Sequence, residues 1–483
     1  MITNDATLLK VKHEVLYEVA KLAYAGRLEE ERDSLPYKMV PGPQPAFRCC
    51  IYREREVIRQ RIRLAEGKAP GAEDDGNIVQ VINSACEGCP ISRYVVTDNC
   101  QKCMGKACQA ACRFGAISMG RDKSYIDPSK CKECGQCAKA CPYNAIADLV
   151  RPCMKSCPVD AILVADNGTG IAVINQDKCI QCGSCVHKCP FGAIGSKTFI
   201  VDIIKKMRSD IKVFAMLAPA TIGQFGADIT MASWRTALKK IGFYDVVDVS
   251  LGADMTAMNE AKEWIEAKEK GEKKTTSCCP AFKNYIEKHF PTLKDAISET
   301  VSPMCAASRY IKEKFPGAVT VFIGPCIAKK AESMSGEKDT ADYALTYGEI
   351  RAMLRAKGVK LEPEEDTDDQ GSIYGKKFAN AGGVTAAVLE SMKELGCTGD
   401  VSVCKCSGIT ECKKALTLMK VGRLPEDFIE GMVCEGGCVG GPSRHRDPNL
   451  AMRDRNAALA KSSDILIKDN LDKQNAETVD MIR

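Results

Sequence analysis

CKECGQCAKACP, residues 131–142, sets three cysteines at intervals of two intervening residues, then a fourth after three more, immediately before a proline. CIQCGSCVHKCP at 179–190 repeats the pattern residue for residue in its cysteines and proline. Three thiolates so spaced wrap one four-iron cubane, while the fourth, turned away by the proline, reaches a neighbouring cluster. A structural zinc site instead uses two separated pairs. The doubled run therefore predicts a small module that holds its metal clusters in pairs.

Working outward, CQKCMGKACQAAC at 100–112 is a variant run with a short insertion, and it precedes the first full one. The pairing rule joins Cys100, Cys103 and Cys108 with Cys141, and Cys131, Cys134 and Cys137 with Cys112. The second full run has only RPCMKSCPVDAI at 151–162 ahead of it. Cys157 completes a third cluster with Cys179, Cys182 and Cys185, which strands Cys153 and Cys189. ACEGCP at 85–90 supplies two more thiols, Cys86 and Cys89, and two plus two makes a fourth cluster; the alternative is that Cys86 and Cys89 are packed structural thiols. Sixteen of the 28 cysteines are thus placed. FGAI at 114–117, YNAI at 143–146, DAIL at 160–163 and FGAI at 191–194 follow the fourth cysteine of each group and mark an internal repeat.

A chain of 483 residues, 45% hydrophobic, is long enough for several cores. Its opening, MITNDATLLKVKHEV, has no apolar leader, and no window reaches membrane-spanning length, so the reading places the protein in the cytoplasm with no membrane span. In that reducing compartment so many cysteines serve as metal ligands rather than disulfides. A net charge of +5 is slight for this length and argues against nucleic acid as the main partner. Helical spacing runs through TLLKVKHEVLYEVAKLAYAG at 7–26 and YREREVIRQRIRLAEG at 52–67, the second with its charges expected on a free, solvated face. MVPGPQPAF at 39–47 reads as the linker between them. Cys49 and Cys50, being adjacent, chelate one metal poorly and read as core or surface thiols.

From about residue 199 the pattern changes. IKVFAMLAPA at 211–220, YDVVDVSLGAD at 244–254 and AVTVFIGPC at 318–326 read as buried strands, each followed by a helix, and Thr346 with Glu349 forms a capping box. Such α/β segments place their sites at strand ends. The expected architecture is a multidomain chain, α+β and α/β: a helical region at 1–85, a cluster domain resembling ferredoxins at 86–198, an α/β catalytic domain at 199–446 and a helical tail at 447–483.

Three motifs of the α/β part, TSCCPAF at 276–282, GPCIAKK at 324–330 and MVCEGGCVGG at 432–441, occur one after another in the order seen in the iron-only (FeFe) hydrogenases. LAPA at 217–220, LGADMTAMNEA at 251–261 and KFANAGGV at 377–384 add to the match, so residues 86 to 446 resemble that family. The resemblance implies an H-cluster: a 4Fe-4S cubane on Cys279, Cys326, Cys434 and Cys438, bridged through Cys438 to a diiron subsite carrying carbon monoxide, cyanide and an amine dithiolate. It further implies that Ala218, Pro219, Phe378 and Met432 surround the cofactor and that Lys329 hydrogen-bonds a cyanide. Cys278 is left without metal and becomes the proton carrier beside the amine, continued by Glu260, Ser298 and Glu263. Glu260 and Glu263 stand three apart on the helical stretch 256–270, hence on one side of it. Three positions depart from the family pattern: Ala267 for the outermost arginine of the relay, Gly324 for a methionine and Met304 for a glutamine. Cys305, Cys397, Cys404, Cys406 and Cys412 fit no cluster spacing and read as structural or surface thiols.

By the same resemblance the chain is expected to be a hydrogenase that interconverts protons, electrons and dihydrogen, fed through three to four accessory 4Fe-4S clusters by ferredoxin or a similar low-potential carrier, and dependent on maturation enzymes. The other classes considered are a hydrogen sensor using the same cofactor and a nonenzymatic iron-sulfur assembly protein of the same fold. Retention of Lys329 and of the proton relay speaks against the assembly class, since neither serves a cubane. The short tail speaks against the sensor.

Overall fold

Four two-stranded antiparallel ladders carry the cysteine-rich segment, and they are nested. In the computed structural model, which describes residues 7–71, 74–89, 93–365, 370–397, 399–462 and 465–483, the ladder Tyr94–Val96 with Ile146–Asp148 encloses the hairpin Ile117–Met119/Ser124–Ile126. The ladder Val79–Val81 with Ile194–Ser196 likewise encloses Ile162–Val164/Ala172–Ile174. One paired-cluster unit, 94–148, is therefore inserted into the other, between Cys89 and Cys153. That insertion is why the second full run has only half a partner directly ahead of it. The first six residues of the stretch read as lacking an apolar leader lie outside the described residues.

The internal repeat has a physical basis. In all four groups the sulfur of the fourth cysteine accepts the backbone N–H four residues on: Ala116 to Cys112 at 3.4 Å, Ala145 to Cys141 at 3.4 Å, Ala161 to Cys157 at 3.2 Å and Ala193 to Cys189 at 3.3 Å. The isoleucine after each alanine is buried and begins a strand. Hydrogen bonds to cluster sulfurs are one of the levers on reduction potential.

Two parallel sheets organise the remainder. The first runs Asp245–Asp248, Val213–Leu217, Val319–Ile323, Tyr343–Leu345 in spatial order. The second runs Lys274–Thr275, Phe428–Met432, Val403–Ser407. Val213–Leu217 is buried along its whole length, as a strand covered on both faces must be. The strand expected over 244–254 stops at Asp248, whose carboxylate accepts the N–H of Ser250 at 2.8 Å and caps the helix Val249–Glu269. The capping box at Thr346 and Glu349 is present.

Helices Leu8–Ala25 and Ile51–Ala65 form where their spacing predicts. The charged face of the second is not wholly free. Glu54 is fully buried and accepts the N–H groups of Ala46 at 2.9 Å and Arg48 at 2.6 Å, ending the linker, and Arg61 is buried as well. The tail forms helices Pro448–Leu459 and Ile467–Gln474, and Arg455, Ile467 and Leu471 enter the core. Among the described residues no helix is long and apolar enough to cross a membrane.

Candidate metal centre

Parallel strands that all end on one side deliver their following loops to one place. Leu217 is followed by Ala218 and Pro219, Thr275 by the Cys278–Cys279 turn, Ile323 by Gly324, Pro325 and Cys326, and Met432 by Val433 and Cys434. These loops, with the short turn at Cys438–Gly440, enclose a cavity of about 90 Å³. Cys279, Cys326, Cys434 and Cys438 line it together with Cys278 and Lys329. Ala218, Pro219, Phe378 and Met432 form apolar walls, joined by Met304.

Cys279 also caps the helix Pro280–His289, with proline at its first position, where a missing N–H costs nothing. The far end of that helix reaches the cluster segment: Lys288 Nζ donates to the carbonyls of Gln176 at 2.7 Å and Cys179 at 2.8 Å, and His289 contacts the Lys178 carbonyl oxygen at 2.9 Å. Gly183, at a positive φ of 77°, lies so close to Ile327 that a Cβ would stand 2.5 Å from its side chain. Only glycine permits that approach. Cys182 consequently borders the same cavity as Cys434.

Burial pushes Cys279, Cys326, Cys434 and Cys438 above the ordinary thiol value, and neighbouring thiols add to the effect at the last three; Cys326 is raised to about 12 and Cys438 to about 11. Four cavity-lining thiols that resist ionisation are deprotonated by a metal that binds them. Among the described residues no three Cys, His, Asp or Glu side chains close on one point as ligands of a single ion do. They face one another across a cavity with apolar walls. The donor set and its surroundings fit an iron-sulfur cage carrying a further apolar-walled group. Buried Lys329 donates to Ser302 Oγ at 2.8 Å and pairs with Glu332 at 2.6 Å. Burial opposes its charge, but Glu332, through its charge and its hydrogen bond, outweighs burial and raises the Lys329 pKa.

Behind Cys278 lie the three relay candidates. Burial, then the charges of Glu260, Cys279 and Cys438, push the Cys278 thiol far up, so it is neutral. Glu260 is fully buried and its pKa is raised to about 8 by burial and by Glu263. Neither of its carboxylate oxygens has a hydrogen-bond partner of good geometry, although Ser277 and Ser298 lie near enough to ease its charge. Ser298 Oγ donates to Glu263 at 2.6 Å, with Thr300 Oγ1 adding a bond at 3.1 Å and Lys274 an ion pair at 3.6 Å. The line is closed at Ser298–Glu263 and open at Glu260.

Most of the accessory thiols stand near others of the group proposed for them. Cys100, Cys103, Cys108 and Cys141 border one cavity of about 20 Å³. The charges of Cys131 and Cys112 act on Cys137, those of Cys182, Cys179 and Cys157 on Cys185, and those of Cys189, Cys89 and Cys86 on Cys153. Cys134 is exposed, and no contact places it beside its three expected mates.

Several residues were not legible in the sequence. Arg455, from the tail, is buried and donates to Asn380 Oδ1 at 2.9 Å and to the Pro219 carbonyl at 2.5 Å, and its charge reaches Cys438. Arg483 donates to the carbonyls of Ser277 and Thr300, each at 3.3 Å, beside the relay where Ala267 offers no cation. The Phe322 ring fills the space at Gly324, 2.8 Å from where a Cβ would stand, and lines the cavity. Cys404 and Cys406, read as structural or surface thiols, have sulfurs 3.9 Å apart, with Cys412 beside Cys406.

The family described as iron only hydrogenase large subunit, C-terminal domain, matches residues 211–442, and the 4Fe-4S binding domain matches 124–147 and 172–195. Iron hydrogenase 1 of Clostridium pasteurianum is 31% identical over 385 residues, which cover 68% of this chain and 66% of that protein. The periplasmic Fe hydrogenase large subunit of Nitratidesulfovibrio vulgaris is 29% identical over 305 residues, covering 51% of this chain and 72% of its own. The cytosolic Fe-S cluster assembly factor NAR1 of Meyerozyma guilliermondii is 27% identical over 175 residues, 33% of this chain and 32% of its own. The chain thus spans just under two thirds of the first relative's length and belongs, as a divergent member with a ferredoxin-like cluster domain, to the iron-only hydrogenase family.

Proposed function

We propose that the protein interconverts dihydrogen with protons and electrons. One observation carries the reading: the wall that presents four cubane thiols also presents the neutral thiol of Cys278, with the protonated Glu260 behind it and Ser298 bonded to Glu263. The H-cluster would be held by Cys279, Cys326, Cys434 and Cys438, and when bound it would supply the bond chemistry of dihydrogen. The chain supplies the conduits. Cys278 holds a proton at Sγ next to the metal, Glu260 holds one at its carboxyl, and Ser298 Oγ passes it to Glu263, near Lys274 and Arg483. Ala218, Pro219, Phe378 and Met432 keep water from the cofactor, and Lys329 offers a buried cation to an anionic ligand.

Four accessory clusters would be held by Cys100, Cys103, Cys108 and Cys141; Cys112, Cys131, Cys134 and Cys137; Cys157, Cys179, Cys182 and Cys185; and Cys86, Cys89, Cys153 and Cys189, and would supply the electron path. Cys182 borders the cubane's cavity, so the third of these would stand next to it. We divide the chain functionally at 85, 198 and 446, place it in the cytoplasm, and assign ferredoxin or a similar low-potential protein as carrier, with maturation enzymes to build the diiron subsite.

The likeness to an assembly factor raises a second reading, a cubane protein without dihydrogen chemistry. Such a protein has no use for a carboxyl buried and kept protonated behind a free thiol. Infrared spectroscopy of the maturated protein decides between them. Bands of iron-bound carbon monoxide and cyanide are expected; their absence after confirmed maturation would overturn the hydrogenase reading and leave the assembly one.

A further inference from the structure

A cavity of about 280 Å³ separates the N-terminal helix Leu8–Ala25 from the cluster segment and from the loop at 443–445. Four strong cations line it: Lys12, Arg61, Arg351 and Arg444. Each donates to a neutral acceptor. Lys12 Nζ bonds the Val186 carbonyl at 3.1 Å, Arg61 Nη2 the Gly192 carbonyl at 2.6 Å, Arg351 Nη1 the imidazole of His445 at 3.3 Å, and Arg444 Nη1 the Gly440 carbonyl at 3.4 Å. The single acidic residue of the lining, Glu349, is taken up by Lys330 and by the N–H of Thr346. Nearby Glu14 is paired with Arg355. Arg61 is only 7% exposed, and its Nε, buried, has no hydrogen-bond partner.

A buried guanidinium with an unpaired N–H, answered by Cys189 alone, is costly, and neighbouring cations add repulsion to that cost. The same field acts on three of the chain's four histidines, His13, His187 and His445, which also line the cavity. Burial first, and then the cations around them, keep His13 and His445 below the ordinary imidazole value, so that these two stand as neutral hydrogen-bonding groups. Cys189 answers Arg61 and Lys12, while Arg351 and Arg444 line the same cavity with only neutral hydrogen-bond acceptors.

We propose that this cavity is a binding site for a small, multiply charged oxyanion of the phosphate class, held by charge-assisted bonds from Arg61, Arg351, Arg444 and Lys12. Its volume lies just under the range usual for drug-sized ligands, which suits a phosphate or pyrophosphoryl group. If the four-cluster reading holds, there is a consequence for electron delivery. Arg61 adjoins Cys189, so an anion in the cavity opposes the extra negative charge of a reduced cluster there and lowers its potential.

Calorimetric titration of the iron-loaded full chain with inorganic phosphate, inorganic pyrophosphate and ADP tests the site without needing the diiron subsite or any turnover. One site per chain is expected, weakened about tenfold or more in the surface double variant Arg351→Ala, Arg444→Ala, since charge-assisted bonds are lost. The buried variant Arg61→Gln should weaken it further, and the surface pair keeps the test valid if that variant does not fold. ADP binding far tighter than pyrophosphate would identify a nucleotide as the source, and equal affinities a free anion. Absence of heat with all three ligands, weak binding at many sites, or an affinity unchanged in the double variant would overturn the proposal. A protein that lacks carbonyl and cyanide bands yet binds pyrophosphate would lose the hydrogenase reading and keep this site.

Discussion

The cluster segment and the catalytic sheets hold thiols by opposite means. Between residues 94 and 148 the buried apolar set is Tyr94, Val96, Ile117, Ile126 and Ile146, with Cys108 and Cys137 among them. So small a core supports few residues, and binding of metal to ligands a few positions apart supplies the stability that packing does not. The catalytic part has extensive cores, and its four thiols come from distant positions, 279 to 438, gathered only because parallel strands end together. In one region metal is expected to make the fold. In the other the fold makes the metal site.

The largest contrast lies within two adjacent residues of the second region. Cys279→Ser removes a cubane ligand and should lose that cluster, while the strands Val213–Leu217 and Val319–Ile323 keep their protection from hydrogen exchange. Cys278→Ala removes no ligand, so iron content should be unchanged and turnover should fall about 10²- to 10⁴-fold, the usual worth of a positioned proton carrier. Equal iron loss in the two variants would erase the division of labour between them. Near-normal dihydrogen evolution by Cys278→Ala would send the protons elsewhere.

A smaller effect, confined to the first region, probes whether metal makes the fold there. With four accessory clusters and the cubane, reconstituted protein without the diiron subsite should hold about twenty irons. The double variant Cys86→Ala, Cys89→Ala should lose about four, and the ladder Val79–Val81/Ile194–Ser196 should lose exchange protection with them. Saturation of the wild type near sixteen irons would return Cys86 and Cys89 to the status of packed thiols. Loss of iron with the ladder still protected would show that the second unit stands on its own core.

This difference also explains what could be read in the chain. Where ligands lie within a dozen residues, spacing is geometry, and counting by the ferredoxin rule brought together Cys153 and Cys189 with Cys86 and Cys89 across an inserted unit that nothing in the spacing announces. The four thiols of the cavity were legible through motif resemblance, because periodicity marks strands and says nothing of which ends meet. Arg455 and Arg483 were invisible. Each comes from the tail, where no motif marks it, and each donates to backbone carbonyls that any residue presents. Helical spacing set Glu54 and Arg61 on a solvated face because it does not register a loop or a neighbouring unit folding over them. Cys404, Cys406 and Cys412 meet because a strand places alternate residues on one side and the following helix folds back over it.

The finest test concerns whether the relay belongs to the dry interior of the second region or to bulk water. Burial, with Glu263, holds the Glu260 carboxyl at about 8 against an ordinary 4.5. Below the ordinary value both folded and unfolded chains carry the proton and the residue contributes nothing to pH dependence. As pH rises from there the unfolded chain releases it and the folded one does not, so stability declines until the folded group ionises near 8, by an amount on the order of a few kcal/mol. Glu260→Gln should abolish that slope. It should also remove an infrared band of a neutral carboxyl that the wild type keeps at neutral pH and loses around pH 8. A band lost instead in the ordinary carboxylate range would mean that water reaches Glu260. The proton path would then be an inlet of solvent ending at Cys278 rather than a chain of side chains, and Ser298 and Glu263 would be its wall.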